Sequence, residues 1–164
     1  MDKKNIIRKT FLHLVLIHVL MSLIHLLSSD LGHPLYKFLK GQHFIVMLSI
    51  LVVLDVIAYF VAGMLYARFI PDKKRFNLVL EIVSITLAMF FLVLFAVVYF
   101  LSLQFYNRDI MLIYTLINPW YGTFMYKLPD KELYSLWWMI SAIVPSVGYY
   151  AGAKFTLRKL GNEK

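Results

Sequence analysis

The sequence predicts an all-α integral membrane fold, a bundle of four transmembrane helices with both chain ends in the cytoplasm. Three observations predict it. The 164 residues are 61% hydrophobic and 16% charged, where a soluble globular domain is nearer one half apolar and one quarter charged. The apolar residues gather in four runs of membrane-crossing length, and the basic residues gather in alternate gaps between them. A domain of this size leaves much of its surface in water, so a core alone cannot hide the apolar excess. Lipid has to be part of the solvent.

The runs cover residues 10–27, 44–66, 78–103 and 133–155. About 20 helical residues cross a typical hydrocarbon core. The first run is near the short end of that range, and the third is long enough to tilt or to pass the headgroups. The gaps leave no room for a soluble domain, so residues 1–164 read as one transmembrane domain. A basic head of Lys3, Lys4, Arg8 and Lys9 precedes the first run. Signal peptides begin in the same way, but residues 28–33 offer no clear small-x-small cleavage site, and the first helix reads as retained.

Loop charges set the orientation. The N-terminal tail carries the four basic residues just named. The second gap carries Arg68, Lys73, Lys74 and Arg75, and the C-terminal tail carries Lys154, Arg158, Lys159 and Lys164. The other face holds Lys37 and Lys40 in the first gap and Arg108, Lys127 and Lys131 in the third. Twelve against five places the basic-rich face in the cytoplasm under the positive-inside rule. Aromatic residues at the run ends agree, with Tyr99, Phe100, Phe105, Tyr106, Tyr134, Trp137 and Trp138 at the outer interface and Tyr66 and Phe69 at the inner one. The formal net charge of +8 is accounted for by anionic headgroups, and no nucleic acid is implied.

The outer loop between the third and fourth helices is the irregular part. Its apolar stretch 110–117 is too short to span, and Asn118-Pro119 ends it, because proline cannot continue a helical hydrogen-bond ladder. Trp120, Tyr121, Gly122, Phe124 and Tyr126 follow. The stretch reads as an interfacial or shallow re-entrant element over the outer mouth of the bundle.

Ionisable groups inside a span are costly, and each is a functional candidate by default. Asp55 sits mid-run among Val52, Val53, Leu54, Val56 and Ile57, with Tyr59 and Tyr66 continuing its helix face. On the first helix His18, Ser22, His25 and Ser29 form one polar stripe. If the first two helices are a hairpin, His18 and Asp55 reach similar depth and face each other, as a proton relay or as an interhelical hydrogen bond. Glu81, with Asn77 as a plausible N-cap, reads as a carboxylate in the first turns of the third helix, where the helix dipole favours it. His25, His33 and His43 with Asp30 match no ligand spacing, and two histidines on one helix face cannot clamp a haem iron, so no metal or cofactor is expected. On the fourth helix Ser141, Pro145, Gly148 and Gly152 make a small-residue face suited to close backbone packing, with Pro145 kinking the helix.

There is no cysteine, which excludes disulfides and thiolate cofactor sites. P-loop, dinucleotide-binding, zincin and nucleophile-elbow patterns are absent from the sequence. Two function classes remain open, with a membrane enzyme ranked third. One is a small accessory or interaction subunit acting through helix packing in the cell membrane, whose partners are the lipid bilayer and another membrane protein or a second copy. The other is a small proton- or cation-coupled transporter or channel that uses His18 and Asp55. The scarcity of polar groups in the spans favours the first.

Overall fold

The structure is a computed structural model that describes residues 3–28, 33–118, 121, 122, 124, 125 and 128–162, and among these every regular element is helical. The elements are α1 (Lys3–Ser28), α2 (Pro34–Lys40), α3 (Phe44–Phe69), α4 (Lys73–Gln104), α5 (Arg108–Ile117), α6 (Asp130–Leu133), a 3-10 turn (Leu136–Trp138) and α7 (Met139–Asn162).

Three helices, α1, α3 and α4, are long and apolar enough to cross a membrane. Each extends past its apolar run, because the flanking polar residues also favour helix. The start of α4 departs from expectation. Asp72 is its N-cap, accepting from the Arg75 backbone N–H at 3.1 Å, so the helix begins at Lys73. Asn77 is not the cap; it lies inside α4 and accepts a 2.6 Å hydrogen bond from Lys154 Nζ. Glu81 is accordingly more than two turns inside α4 and exposed.

The expected fourth span is interrupted at its far end. Trp138 Nε1 donates to the Glu132 carbonyl at 3.0 Å, and Ser135 caps the 3-10 turn. These contacts fold α6 and the 3-10 turn onto each other, and the turn runs directly into α7, which begins at Met139. At 24 residues α7 has the length to span, but it is not among the helices apolar enough to do so. Its buried side carries Ser141, Ser146, Gly148 and Gly152, and its last turns carry Lys154, Arg158 and Lys159.

The long helices form a four-cornered bundle in which consecutive helices are not always neighbours. α3 and α4 each pack chiefly against α7, while α1 rests on α4 and touches α3 through side chains. Pairings of residues give the directions. Phe44 meets Trp138, and further along Val56 and Tyr59 meet Gly148, so α3 and α7 run parallel. Tyr99 meets Tyr134 while Asn77 meets Lys154, so α4 and α7 run antiparallel. His18 meets Tyr59 while His13 meets Tyr66, so α1 and α3 run antiparallel.

Glycines explain why α3 chooses α7. A Cβ on Gly152 would fall on the Phe60 backbone, 2.7 Å from its carbonyl carbon, and one on Gly63 would fall on the Tyr149 carbonyl oxygen. Only residues without a side chain allow two helices to approach this closely. The outward faces stay apolar. Leu12, Leu16, Val53, Ile57, Ile82, Ile85, Phe90, Val93 and Phe100 are all at least 50% exposed, an apolar girdle far larger than the patches a soluble monomer tolerates.

Part of the first gap is a short helix. Tyr36 and Leu39 of α2 are buried, Pro34 opens the helix, and the His33 side chain caps it by accepting from the Leu35 N–H at 3.2 Å.

Candidate functional site

The polar interior of the bundle is built where the chain between α4 and α7 turns inward. α4 ends in a Schellman arrangement, with Tyr106 in the left-handed region (φ 49) and the Asn107 N–H bonded to the Ser102 carbonyl at 3.1 Å. That reversal lays α5 against α4. α5 is amphipathic, with Met111 and Tyr114 fully buried and Leu116 81% exposed.

Beyond α5 the chain enters the space between the helices. Asn118, Tyr121, Phe124 and Met125 are each 3% exposed or less. The Tyr121 hydroxyl donates to Asp55 Oδ2 at 2.9 Å. Asp55 lies eleven residues after Phe44, which at 1.5 Å per residue is about 16 Å along α3. The described residues after α5 are thus buried among the helices, while α5 itself, the stretch expected to be interfacial or re-entrant, keeps Ile113 and Leu116 exposed.

A second anchor is tied to Pro145. This buried proline sits inside α7 and has no N–H to give to the carbonyl four residues earlier, which belongs to Ser141. Asn118 Nδ2 donates to that carbonyl at 3.1 Å and reaches the Tyr114 hydroxyl at 3.3 Å. Tyr114 and Ser141 share a 2.8 Å hydroxyl–hydroxyl bond, and Ser141 Oγ also lies 2.6 Å from the Trp138 carbonyl. The buried segment thus supplies the donor that the α7 backbone lacks at its interior proline.

α1 closes the other side. His18 Nδ1 and the Tyr59 hydroxyl are joined by a 2.6 Å bond, and the His18 ring lies 4.9 Å from that of Phe91. Tyr59 is one turn after Asp55 on α3, so His18 and Asp55 belong to one cluster whose visible link is Tyr59. Nearer the chain termini, His13 stacks on Tyr66 at 3.8 Å between ring centroids, and its Nδ1 bonds the Tyr149 hydroxyl at 3.1 Å.

The remaining sequence candidates fall as follows. Ser22 is half-buried on α1, and the His25 side chain lies outside the described residues, as does Ser29. Glu81 is exposed on α4, away from the cluster. Ser141 and Pro145 belong to the anchor, and Gly148 and Gly152 form the seam with α3. Among the described residues no three His, Cys, Asp or Glu side chains come together as metal ligands.

Tyr114, Asn118, Tyr121 and Gly63 were not singled out from the sequence as site residues. One usable signal existed. A helix-interior proline at 145 implies an orphan carbonyl at 141, and an Asn among apolar residues at 118 is a suitable donor for it. Comparison with family models, with curated proteins and with solved structures finds no match for this chain.

Proposed function

We propose that this chain is a multi-pass protein of the cell membrane, with α1, α3, α4 and α7 as four spans and both termini cytoplasmic, acting as a small accessory or interaction subunit through helix packing. The observation that carries this reading is how the polar cluster around Asp55 and Ser141 is used. Asp55, Tyr121, Tyr59, His18, Tyr114, Ser141 and Asn118 are hydrogen-bonded to one another or to backbone, which supports a fastening role over the lining of a conduction path. The exposed apolar girdle suits lipid or a partner helix. α1 offers an open face, with Phe11, Leu12, Leu16, Val19, Leu20 and Leu23 all exposed.

The more polar α7 fits as the fourth span because its polar side faces α3, α4 and the inserted segment, where hydrogen bonds and close backbones replace apolar contact. The orientation rests on charge. Lys4, Arg8, Arg68, Lys73, Lys74, Lys154, Arg158 and Lys159 stand at the end of the bundle that carries the termini, the face the positive-inside rule assigns to the cytoplasm. In the cysteine-free chain, an impermeant maleimide is expected to label Lys131→Cys in intact cells and to leave Lys159→Cys unlabelled until the membrane is opened. The reverse pattern would invert the topology.

Function is tested in vesicles. The reconstituted protein is expected to give no proton or sodium flux above protein-free liposomes, and to leave its native membrane in mild detergent with a stoichiometric membrane partner or as a defined oligomer. Flux that disappears in Asp55→Asn would overturn this reading in favour of coupled transport through His18 and Asp55.

A further inference from the structure

The seam between α4 and α7 opens at the end of the bundle that carries the termini. Its mouth is a recess of about 350 Å³ lined by Lys73, Lys74, Asn77, Lys154, Leu157 and Arg158. Four cationic side chains thus converge from two helices. Among the described residues the two ion pairs present, Arg75 with Asp72 and Arg108 with Asp130, use none of them. Lys154 is held in place by Asn77 at 2.6 Å and by the face of Tyr150, 5.7 Å from the ring centroid.

One turn further along both helices the seam continues as a groove of about 260 Å³, lined by Glu81, Ser84, Ile85, Ala88, Ser146, Val147 and Tyr150. Its outer wall is apolar and exposed, with Ile85 at 57% and Val147 at 54%. At its floor the hydroxyls of Ser84 and Ser146 are buried, and neither has a hydrogen-bond partner. Buried hydroxyls without partners are costly.

We infer that the α4–α7 seam is a binding site for an anionic phospholipid, with the lipid phosphate in the mouth formed by Lys73, Lys74, Lys154 and Arg158 and an acyl chain along Ile85, Ala88 and Val147. The inference rests on the four-span reading, which puts this mouth at the cytoplasmic headgroup level. Charge complementarity selects the occupant, since basic recesses between membrane helices on the cytoplasmic side suit anionic headgroups. The groove favours a lipid over free phosphate because it continues the mouth into the hydrocarbon depth and exposes aliphatic side chains there. Glu81 is the one carboxylate in the seam; it repels a phosphate from the groove and keeps the headgroup at the mouth.

The test compares full-length protein in nanodiscs of phosphatidylcholine containing phosphatidylglycerol, followed by native mass spectrometry of retained lipid. Phosphatidylglycerol is expected to be enriched on the protein over its share of the disc. At about fivefold per cation near the surface, the double variant Lys74→Gln/Arg158→Gln should lower that enrichment roughly 25-fold. The charge-matched Lys37→Gln/Lys40→Gln pair at the opposite end should leave it within about twofold. Equal loss in both pairs, or equal retention of the two lipids, would overturn the site while leaving the membrane reading intact. Failure of the protein to enter discs would overturn both. Thermal stabilisation in pure phosphatidylcholine discs by millimolar inorganic phosphate, matching that by phosphatidylglycerol, would identify a phosphate site instead of a lipid site. Saturable, charge-dependent capture of a soluble acidic protein that displaces the lipid would reassign the mouth to a protein partner.

Discussion

Gly152→Leu is expected to prevent the bundle from forming, with loss of the monodisperse species on gel filtration in detergent. A side chain at this position meets backbone, with the Phe60 carbonyl carbon at 2.7 Å and its Cα at 2.9 Å from the first added carbon. Backbone cannot swing away as the end of a flexible side chain can, so α3 and α7 must separate. Overpacking in a well-filled interior costs about 1–3 kcal/mol and sometimes more, against a total stability of about 5–15 kcal/mol. Here the loss spreads, because the α3–α7 seam is the most extensive helix pairing among the described residues. The inserted segment also spans it, through Tyr121 to α3 and Asn118 to α7. Ala151→Leu, next in sequence but exposed, should leave elution and thermal midpoint unchanged. Equal behaviour of the two variants would contradict the seam.

Asn118→Leu should have the next largest effect, and the effect should depend on Pro145. The substitution keeps the branched shape with the same number of side-chain heavy atoms, though with bulkier methyl groups, and removes the donor to the Ser141 carbonyl. That carbonyl then stays buried without a partner, at a cost of about 1–3 kcal/mol. In a Pro145→Ala background residue 145 regains its N–H and can bond the same carbonyl within the helix. Asn118→Leu should therefore cost clearly less there, by about 1 kcal/mol or more, in unfolding measurements in detergent. The same cost in both backgrounds would show that Asn118 does not serve the proline-freed carbonyl.

The parts of the fold that could be read from the sequence are those set by local composition. The apolar runs marked α1, α3 and α4, because bilayer thickness fixes the length of such runs. The small residues Gly148 and Gly152 marked a close-packing face, since only a missing side chain allows backbone contact. His18, Asp55 and Tyr59 stood out because polar groups in an apolar run need partners. Their partners could not be read in the same way. Tyr121 is 66 residues from Asp55, and Asn118 is 23 residues from Ser141; no periodicity links such positions. Gly63 was missed because its counterpart lies on a helix that is neither next in sequence nor antiparallel. Asn77 was misplaced as a cap because Asp72, beyond the apolar run, offers a better oxygen to the first free N–H groups of α4.

The insertion of the segment between α5 and α6 into the bundle is the feature on which the interior network depends. Its most direct measurement is the coupling energy between Tyr121 and Asp55, from a double-mutant cycle of Tyr121→Phe and Asp55→Leu read by unfolding in bicelles. Each single change leaves one buried polar group without its partner, whereas the double change leaves neither. The sum of the single costs is expected to exceed the cost of the double variant by about 0.6 kcal/mol or more, the scale of hydrogen bonds between membrane helices. Strictly additive costs would mean that the Tyr121 hydroxyl does not reach Asp55, and would contradict the insertion.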